Sequence, residues 1–395
     1  MKNSIFGIQK DILNNRGAFY TASEINGQPD LWLKTWEYAE ERKSEIIEFL
    51  DPVFHQKDLQ IILTGAGTSA FVGEVLEGPF QKHLKHPTRA VPTTNLVTHP
   101  ELYFFKEKPT LLISFARSGN SPESCKVVDL AKEYCIEIYN LIVTCNSSGK
   151  LATESKGKND FVFILPPESD DKSLAMTGSF SSMLLSGLLI SRIHDIFKLS
   201  DQRMKLYKYG KRIIDNYSLE LKKVASLNFT RAVFLGSGLF TGIARESHLK
   251  LQELSDGKVI CKHDSFLGFR HGPKAVVNES TLVTYLFSNN SYSQKYELDL
   301  VESVNKGRSG IFRIGFMEHD ISNVDVDLKI ILSDQNDSIS EEFLTILSIL
   351  PAQILGFFKS LELGLKPDNP SESGVITRVV QGVKLYNYEN IQTTS

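Results

Sequence analysis

The chain is poor in the residues that would tie it to a metal, a disulfide framework or a nucleic acid. Four cysteines stand among 395 residues (Cys125, Cys135, Cys145, Cys261), and no two form a Cys-x-x-Cys pair. That argues against a disulfide scaffold and fits a reducing compartment, so a cytoplasmic location is expected. No His-Glu-x-x-His and no Cys/His cluster has metal-ligand spacing, and no metal is expected. His83 and His86 lie in a polar stretch with no carboxylate partner in sequence and read as surface residues. Lys and Arg number 44 against 47 Asp and Glu, a net charge of −3 with no basic footprint for nucleic acid. No stretch approaches the ~18 uncharged apolar residues of a membrane span. The most apolar expected helix, residues 181–197, is broken by Arg192, His194 and Asp195. No signal peptide follows Met1, and no membrane partner is expected.

What is present is a repeat. Residues 59–69 run apolar into Gly65-Ala66-Gly67-Thr68-Ser69, and residues 231–240 run apolar into Gly236-Ser237-Gly238-Leu239-Phe240. The two glycine turns are 171 residues apart, and so are the next apolar runs, starting at Leu111 and Leu282. Short apolar runs without polar alternation mark strands covered on both faces, hence parallel sheets. They fall at 61–63, 111–114, 141–144 and 161–165, then at 232–235, 282–287, 311–316 and 328–332. Helical segments separate them, and each half closes on an apolar helix, 181–197 and 342–363. The expected fold is α/β, two doubly wound units in tandem. Residues 1–40 form an N-terminal helical segment, with start signals at Thr21-Ala22-Ser23-Glu24 and a second helix start at Pro29-Asp30. The units span 41–205 and 206–375, joined by a Lys-rich stretch near 199–217. Residues 376–395 form a tail whose end, Gln392–Ser395, is expected to fray.

Ligands of open parallel sheets sit at the carboxyl ends of the strands. The Gly65–Ser69 loop lies there, where backbone N–H groups and a helix N-terminus favour an anion. Dinucleotide binding would want an acidic residue about 20 positions on, and Val91-Pro92-Thr93-Thr94-Asn95 offers none. No Gly-Lys-Ser/Thr makes a Walker A loop. After the second strand comes Ser114-Phe115-Ala116-Arg117-Ser118-Gly119-Asn120-Ser121. One such Ser-rich turn is ordinary. Two hydroxyl-bearing loops on adjacent strand ends suit a phosphate monoester, with Arg117 adding charge. In the second half, Phe287-Ser288-Asn289-Asn290-Ser291 lacks the glycine and arginine. Phosphate binding therefore belongs to the first half. In the second half, Glu246, Lys250 and Glu253 form one helical stripe, which taken alone suits a solvated charged face.

Gly65-Ala66-Gly67-Thr68-Ser69 together with Arg117-Ser118-Gly119-Asn120-Ser121 resembles the pattern of the sugar isomerase (SIS) family. The resemblance covers residues 40–375 as two tandem, flavodoxin-like SIS domains, as in the isomerase half of glucosamine-6-phosphate synthase. It implies that Gly67, Thr68, Ser69, Arg117, Ser118 and Ser121 surround a sugar phosphate. Either Ser179 or Ser181, in Met176-Thr177-Gly178-Ser179-Phe180-Ser181, would also touch the sugar. A Leu-Lys-Leu-x-Glu helix followed by a His-Gly-Pro turn also matches. It implies that Glu253 moves a proton between sugar carbons and His271 opens the ring, with Lys250 and Arg270 near them. In the synthase this histidine comes from the neighbouring subunit. A homodimer or homotetramer with an interfacial active site is therefore implied.

The synthase reaction itself does not fit. About 40 residues precede the tandem pattern, with no cysteine near Met1 for glutamine hydrolysis. Residues 370–378 lack the lysine that binds the ketose in the synthase. The spellings at 114–121, 174–177, 266–274 and 378–382 resemble the AgaS branch of amino-sugar catabolism. The implied reaction takes galactosamine 6-phosphate to tagatose 6-phosphate and ammonia, with no cofactor. The alternatives are a plain aldose–ketose isomerase on a 6-phosphosugar, a glucosamine-6-phosphate deaminase, and a non-catalytic sugar-phosphate sensor.

Overall fold

The computed structural model describes residues 4–333, 337–380 and 382–388. The expected fraying of Gln392–Ser395 concerns residues outside these. The chain opens on a small antiparallel hairpin, β1 (Ser4–Ile5) and β2 (Ile8–Gln9), followed by α1 (Lys10–Asn15), α2 (Phe19–Glu41) and α3 (Lys43–Phe54). The first half then runs β3 (Gln60–Thr64), α4 (Thr68–Leu84), β4 (Thr88–Ala90), α5 (Thr93–Thr98), β5 (Thr110–Ala116), α6 (Pro122–Tyr134), β6 (Ile138–Thr144), α7 (Lys150–Glu154), β7 (Asp160–Ile164) and α8 (Gly178–Ser191). After α9 (Ser200–Ala225) the second half repeats the plan. It runs β8 (Arg231–Gly236), α10 (Phe240–Leu254), β9 (Ile260–Asp264), α11 (Phe266–Phe269), β10 (Thr281–Leu286), α12 (Ser291–Asn305), β11 (Phe312–Met317), β12 (Leu328–Ile331), α13 (Glu341–Ser348) and α14 (Leu350–Glu362).

The two large sheets are wholly parallel, ordered β4-β3-β5-β6-β7 and β12-β11-β10-β8-β9. Numbered within each half, both read 2-1-3-4-5, the flavodoxin-like order. Each sheet has five strands, one more than the apolar runs announce. The additions, β4 and β9, are edge strands spelled Thr-Arg-Ala and Ile-Cys-Lys-His-Asp, too polar to stand out. Central strands such as β3 and β5 are buried at every residue, as their apolar spelling requires.

The Gly-x-Gly turns are built alike. A Cβ on Gly65 would sit 2.6 Å from the Ser69 carbonyl, and one on Gly236 2.4 Å from that of Phe240. The first glycine thus lets each strand feed straight into its helix. The second, Gly67 or Gly238, takes φ of +56° or +55° to make the turn.

Two expectations need correction, and the connection between the halves takes a definite form. Pro29 does not start a helix; α2 passes through it from Phe19 to Glu41. Packing holds it there: α9 approaches so closely at Gly210 that a Cβ would lie 2.5 Å from Trp32 and 2.9 Å from Pro29. The N-terminus of α2 is capped from far along the chain, with Asp368 accepting from the Thr21 N–H and hydroxyl. The Lys-rich connection is α9 itself, a 26-residue amphipathic helix, and the expected division at 205/206 falls inside it. Finally, Glu341–Glu362 has the length and mean hydropathy (1.6) of a membrane span, yet its most apolar window is 100% buried. Pro351 opens α14 and separates it from α13. Helix α14 packs on α9 and α10, and Phe343 of α13 stacks on Trp36 of α2 at 5.3 Å. The helix is a core element of the protein.

Candidate active site

At the carboxyl ends of β3 and β5 the first half meets helix α10 of the second. Helices α4 and α10 cross closely because Gly242 carries no side chain; a Cβ there would lie 2.7 Å from Val75. The crossing brings Lys250 under the first glycine loop. A cavity of about 450 Å³ opens there, walled by Thr68, Arg117, Leu174 and Met176 from the first half and Lys250 and Glu253 from α10. Residues 374–378 and Val380 of the C-terminal segment complete the wall.

The floor is an ion cluster. Lys250 is fully buried, its Nζ 2.6 Å from Glu253 Oε2 and 3.4 Å from Glu246 Oε1. It also donates to Thr68 Oγ1 at 3.2 Å, which links the two halves. Burial alone would lower the Lys250 pKa, but Glu246 and Glu253 hold it above its ordinary value. Glu246 is fully buried, and its Oε2 has no hydrogen-bond partner. Burial first, then the charge of Glu253, pushes its pKa up to about 8 against the pull of Lys250. Burial thus favours the neutral form of Glu246, while its acidic neighbours favour the ammonium form of Lys250. Glu253 alone keeps a partly exposed side chain, with 23% of its surface open. A carboxylate in a dry, cation-bearing cleft can accept a proton from a bound molecule.

Of the residues expected at a site, the structure brings together Thr68, Arg117, Lys250 and Glu253. Gly67 is exposed, Ser69 is buried, and Ser118 and Ser121 are half-buried; all four belong to the same two loops but lie outside the cavity wall. Ser179 and Ser181 lie outside the cavity wall. Both are fully buried, and their hydroxyls serve the fold. Ser179 donates to Asp171 at 2.6 Å, while Ser181 donates to Gln28 at 2.6 Å and accepts from Trp32 Nε1 at 2.9 Å. The segment does reach the cavity, but through Leu174 and Met176 just upstream. Arg270 and His271 are exposed on the turn after α11, away from this wall.

Two acidic residues escaped the sequence reading. Asp171 caps the start of α8 by accepting from the N–H groups of Thr177, Gly178 and Ser179. Glu24 of α2 accepts from the Lys172 and Ser173 N–H groups and the Ser173 hydroxyl. Burial, then the charge of Asp171, raises the Glu24 pKa to about 7. Together they brace the loop that carries Leu174 and Met176. No spacing rule could have found them, because each acts on a segment brought near only by the fold.

The SIS-domain family model matches residues 54–191. A D-galactosamine-6-phosphate deaminase AgaS from Shewanella sp. (strain ANA-3) is 38% identical over 380 residues, covering 95% of this chain and 94% of that one. A solved structure from Clostridium novyi NT, carrying the name of a tagatose-6-phosphate ketose/aldose isomerase, superposes with a TM-score of 0.95 at 38% identity. It covers 98% of this chain and 99% of that one. The tagatose-6-phosphate ketose/aldose isomerase of Escherichia coli gives a TM-score of 0.85 at 34% identity, over 94% of this chain and 97% of that one. With two parallel 2-1-3-4-5 sheets in tandem and relatives of this identity over nearly its whole length, the chain belongs to the AgaS-type branch of the sugar isomerase (SIS) family.

Proposed function

We propose that the cavity between the halves converts D-galactosamine 6-phosphate and water into D-tagatose 6-phosphate and ammonia. The observation that carries the reading is Glu253, a partly exposed carboxylate gripped by a buried lysine beside the hydroxyl-bearing loop after β3. In this scheme the ring opens and exposes the C1 aldehyde. Glu253 removes the C2 proton and returns it to C1, which leaves a ketimine at C2. Water adds to the ketimine and ammonia departs. The C1 aldehyde takes up the electron pair as C2 loses its proton, and the substrate's own amine pushes it onto C1 to form the ketimine, so the residues need supply only proton transfer and binding. Thr68 and the loops bearing Ser69, Ser118 and Ser121 are assigned to the phosphate. His271, exposed on its own chain, is assigned to ring opening in the site of a neighbouring copy, which makes a dimer the expected unit.

Plain aldose–ketose isomerisation is the second reading, favoured by the names of the two solved relatives. It uses the same base and releases no ammonia. Incubation with galactosamine 6-phosphate and glucosamine 6-phosphate, with ammonia and ketose both measured, separates the two. Ammonia from galactosamine 6-phosphate is the expected result. Interconversion of tagatose 6-phosphate with its aldose 6-phosphate, with no ammonia from either amino sugar, would replace the proposal with the second reading.

A further inference from the structure

The residues from Gly374 to Val380 wall the cavity although they form neither helix nor strand. They bury little: Val375 is 82% exposed and Val380 56%. A segment with few buried apolar contacts and no ladder of its own is held by whatever reaches it from elsewhere. Among the described residues, the Gly374 and Ile376 N–H groups bond to the adjoining Ser371, and every hydrogen bond joining 374–380 to more distant parts of the chain runs through two arginines. Arg378 donates from Nε and Nη2 to the Asp171 carbonyl, and from Nη2 to the Asp170 carboxylate. Arg117 donates from Nη2 to the Arg378 carbonyl. Its Nη1 donates to the carbonyls of Ser173 and Leu174, at 3.3 and 3.1 Å.

Arg117 therefore spans two pieces of one wall, the 173–176 loop and the C-terminal segment. It is itself buried, with 6% exposure, and no carboxylate forms an ion pair with it among the described residues. A planar guanidinium suits this task because it presents several donors in fixed directions; an ammonium cannot hold three carbonyls in two segments in the same way. We infer that Arg117 is a positioning residue that fastens residues 374–380 as a wall of the cavity holding Glu253, rather than a ligand of the substrate's phosphate. The inference rests on the reading that this cavity is the reaction site.

The test uses the full chain with Arg117→Lys, which keeps the charge and loses the fork. Amide hydrogen exchange of 374–380 should speed up by about tenfold or more as this wall opens locally. Ammonia release should fall about 10²-fold in kcat/KM, the scale of a misplaced active-site wall. Affinity for inorganic phosphate, measured by calorimetric titration, should stay within about twofold, because the phosphate is assigned to Thr68 and the Ser69, Ser118 and Ser121 loops; a guanidinium that gripped it in a bidentate pair would not be replaced by lysine without loss. Weakened phosphate binding overturns the inference, and so does wild-type exchange in 374–380. Arg378→Ala removes the other fastening and guards against misfolding of the first variant. It should loosen the same residues, and the two substitutions together should cost less than the product of their separate effects. Full multiplicativity overturns a shared role. If the wild-type protein released no ammonia, the proposed reaction would fall while the exchange and phosphate measurements would still judge Arg117.

Discussion

Two cavities lie between the halves, and they are near mirror images in origin. The first holds Thr68, Lys250 and Glu253. The second, about 430 Å³, is lined by Gly78, Pro79, Lys82, His83, Arg192, Leu239 and Ser340–Glu342. At the 171-residue offset, Leu239 stands where the first has Thr68, Pro79 where it has Lys250, and Lys82 where it has Glu253. The charge order is inverted. In the first cavity a buried ammonium lies under an accessible carboxylate. In the second a carboxylate, Glu342, lies buried under two cations and an imidazole: Lys82 at 2.8 Å, Arg192 at 3.7 Å and His83 at 2.9 Å. The second cavity is thus neutralised by its own side chains, and His83, expected on a plain surface, is half-buried against that carboxylate. At matching positions on α4 and α10, only the first cleft sets a partly exposed carboxylate against a fully buried lysine.

The comparison breaks most visibly if both clefts turn out to matter for turnover. Glu253→Gln should lower kcat for ammonia release by roughly 10²–10⁴-fold, the range of a lost general base, while galactosamine 6-phosphate still binds. Lys82→Ala, at the matching position, should leave kcat within about twofold. Steady-state ammonia assays on the two variants decide the matter. Comparable losses in both would mean that the second cleft takes part.

Stability gives the next contrast. Lys250→Met leaves fully buried Glu246 and partly exposed Glu253 without their cation, and should cost about 3–5 kcal/mol in denaturant unfolding. Glu342→Gln removes the carboxylate of the second cluster. Its cations are reached by solvent, with Lys82 67% exposed and Arg192 22%, so the loss should be about 1–2 kcal/mol. Equal losses would show that burial depth does not separate the clusters.

The two acids should also tilt the pH dependence in opposite directions. Glu246 has its folded pKa raised from 4.5 to about 8. Its contribution to stability is fully present below about pH 4.5 and is lost as pH rises through about 8, because only the unfolded chain releases the proton early. Glu246→Gln should flatten that decline by an amount on the order of a few kcal/mol. Burial works to raise the Glu342 pKa, but the hydrogen bonds and charges of Lys82 and His83 outweigh it and hold it below the ordinary value. Its contribution is therefore present above pH 4.5 and lost as pH falls through the folded pKa. Unfolding midpoints taken from about pH 2 to about pH 9 should show Glu246→Gln changing the slope between about pH 4.5 and 8 and Glu342→Gln the slope below about pH 4.5. A change on the same side for both would contradict the inversion.

Much of this difference was written in the sequence, and for a physical reason. The Gly65 and Gly236 turns and the apolar strands are local patterns, fixed by backbone geometry and two-sided burial. They gave the tandem fold at once. The Glu246–Lys250–Glu253 stripe was visible as helix spacing, but only the crossing with α4 turned a solvated face into a buried cluster. Spacing cannot tell the bonds of Ser179 and Ser181 to Asp171 and Gln28 from a ligand contact, because a hydroxyl near a helix start serves a cap or a core bond as readily as a ligand. The C-terminal wall was noticed for the lysine it lacks, not for its place. Nothing local in Gly374–Val380 marks it as a wall; the long-range bonds from Arg117 and Arg378 do.

The smallest expected effect tests the residue where the two glycine loops part company. Thr68→Val keeps volume and removes the hydroxyl that meets Lys250 at 3.2 Å and Glu246 at 3.4 Å. If that hydroxyl serves the substrate's phosphate, KM should rise about tenfold with kcat little changed, the size of one lost hydrogen bond to a charged group. A fall in kcat at unchanged KM would instead place Thr68 with the ion cluster, as a brace for Lys250 and through it for Glu253. The reciprocal change, Leu239→Thr, puts a hydroxyl into the second cleft. It should confer no measurable affinity for sugar phosphate, because Lys82, His83 and Arg192 are already held by Glu342. New binding there, measured by titration with the active site blocked, would mean that one side chain had kept the two clefts apart. Silence would mean that the inversion of charge on α4 and α13 does so.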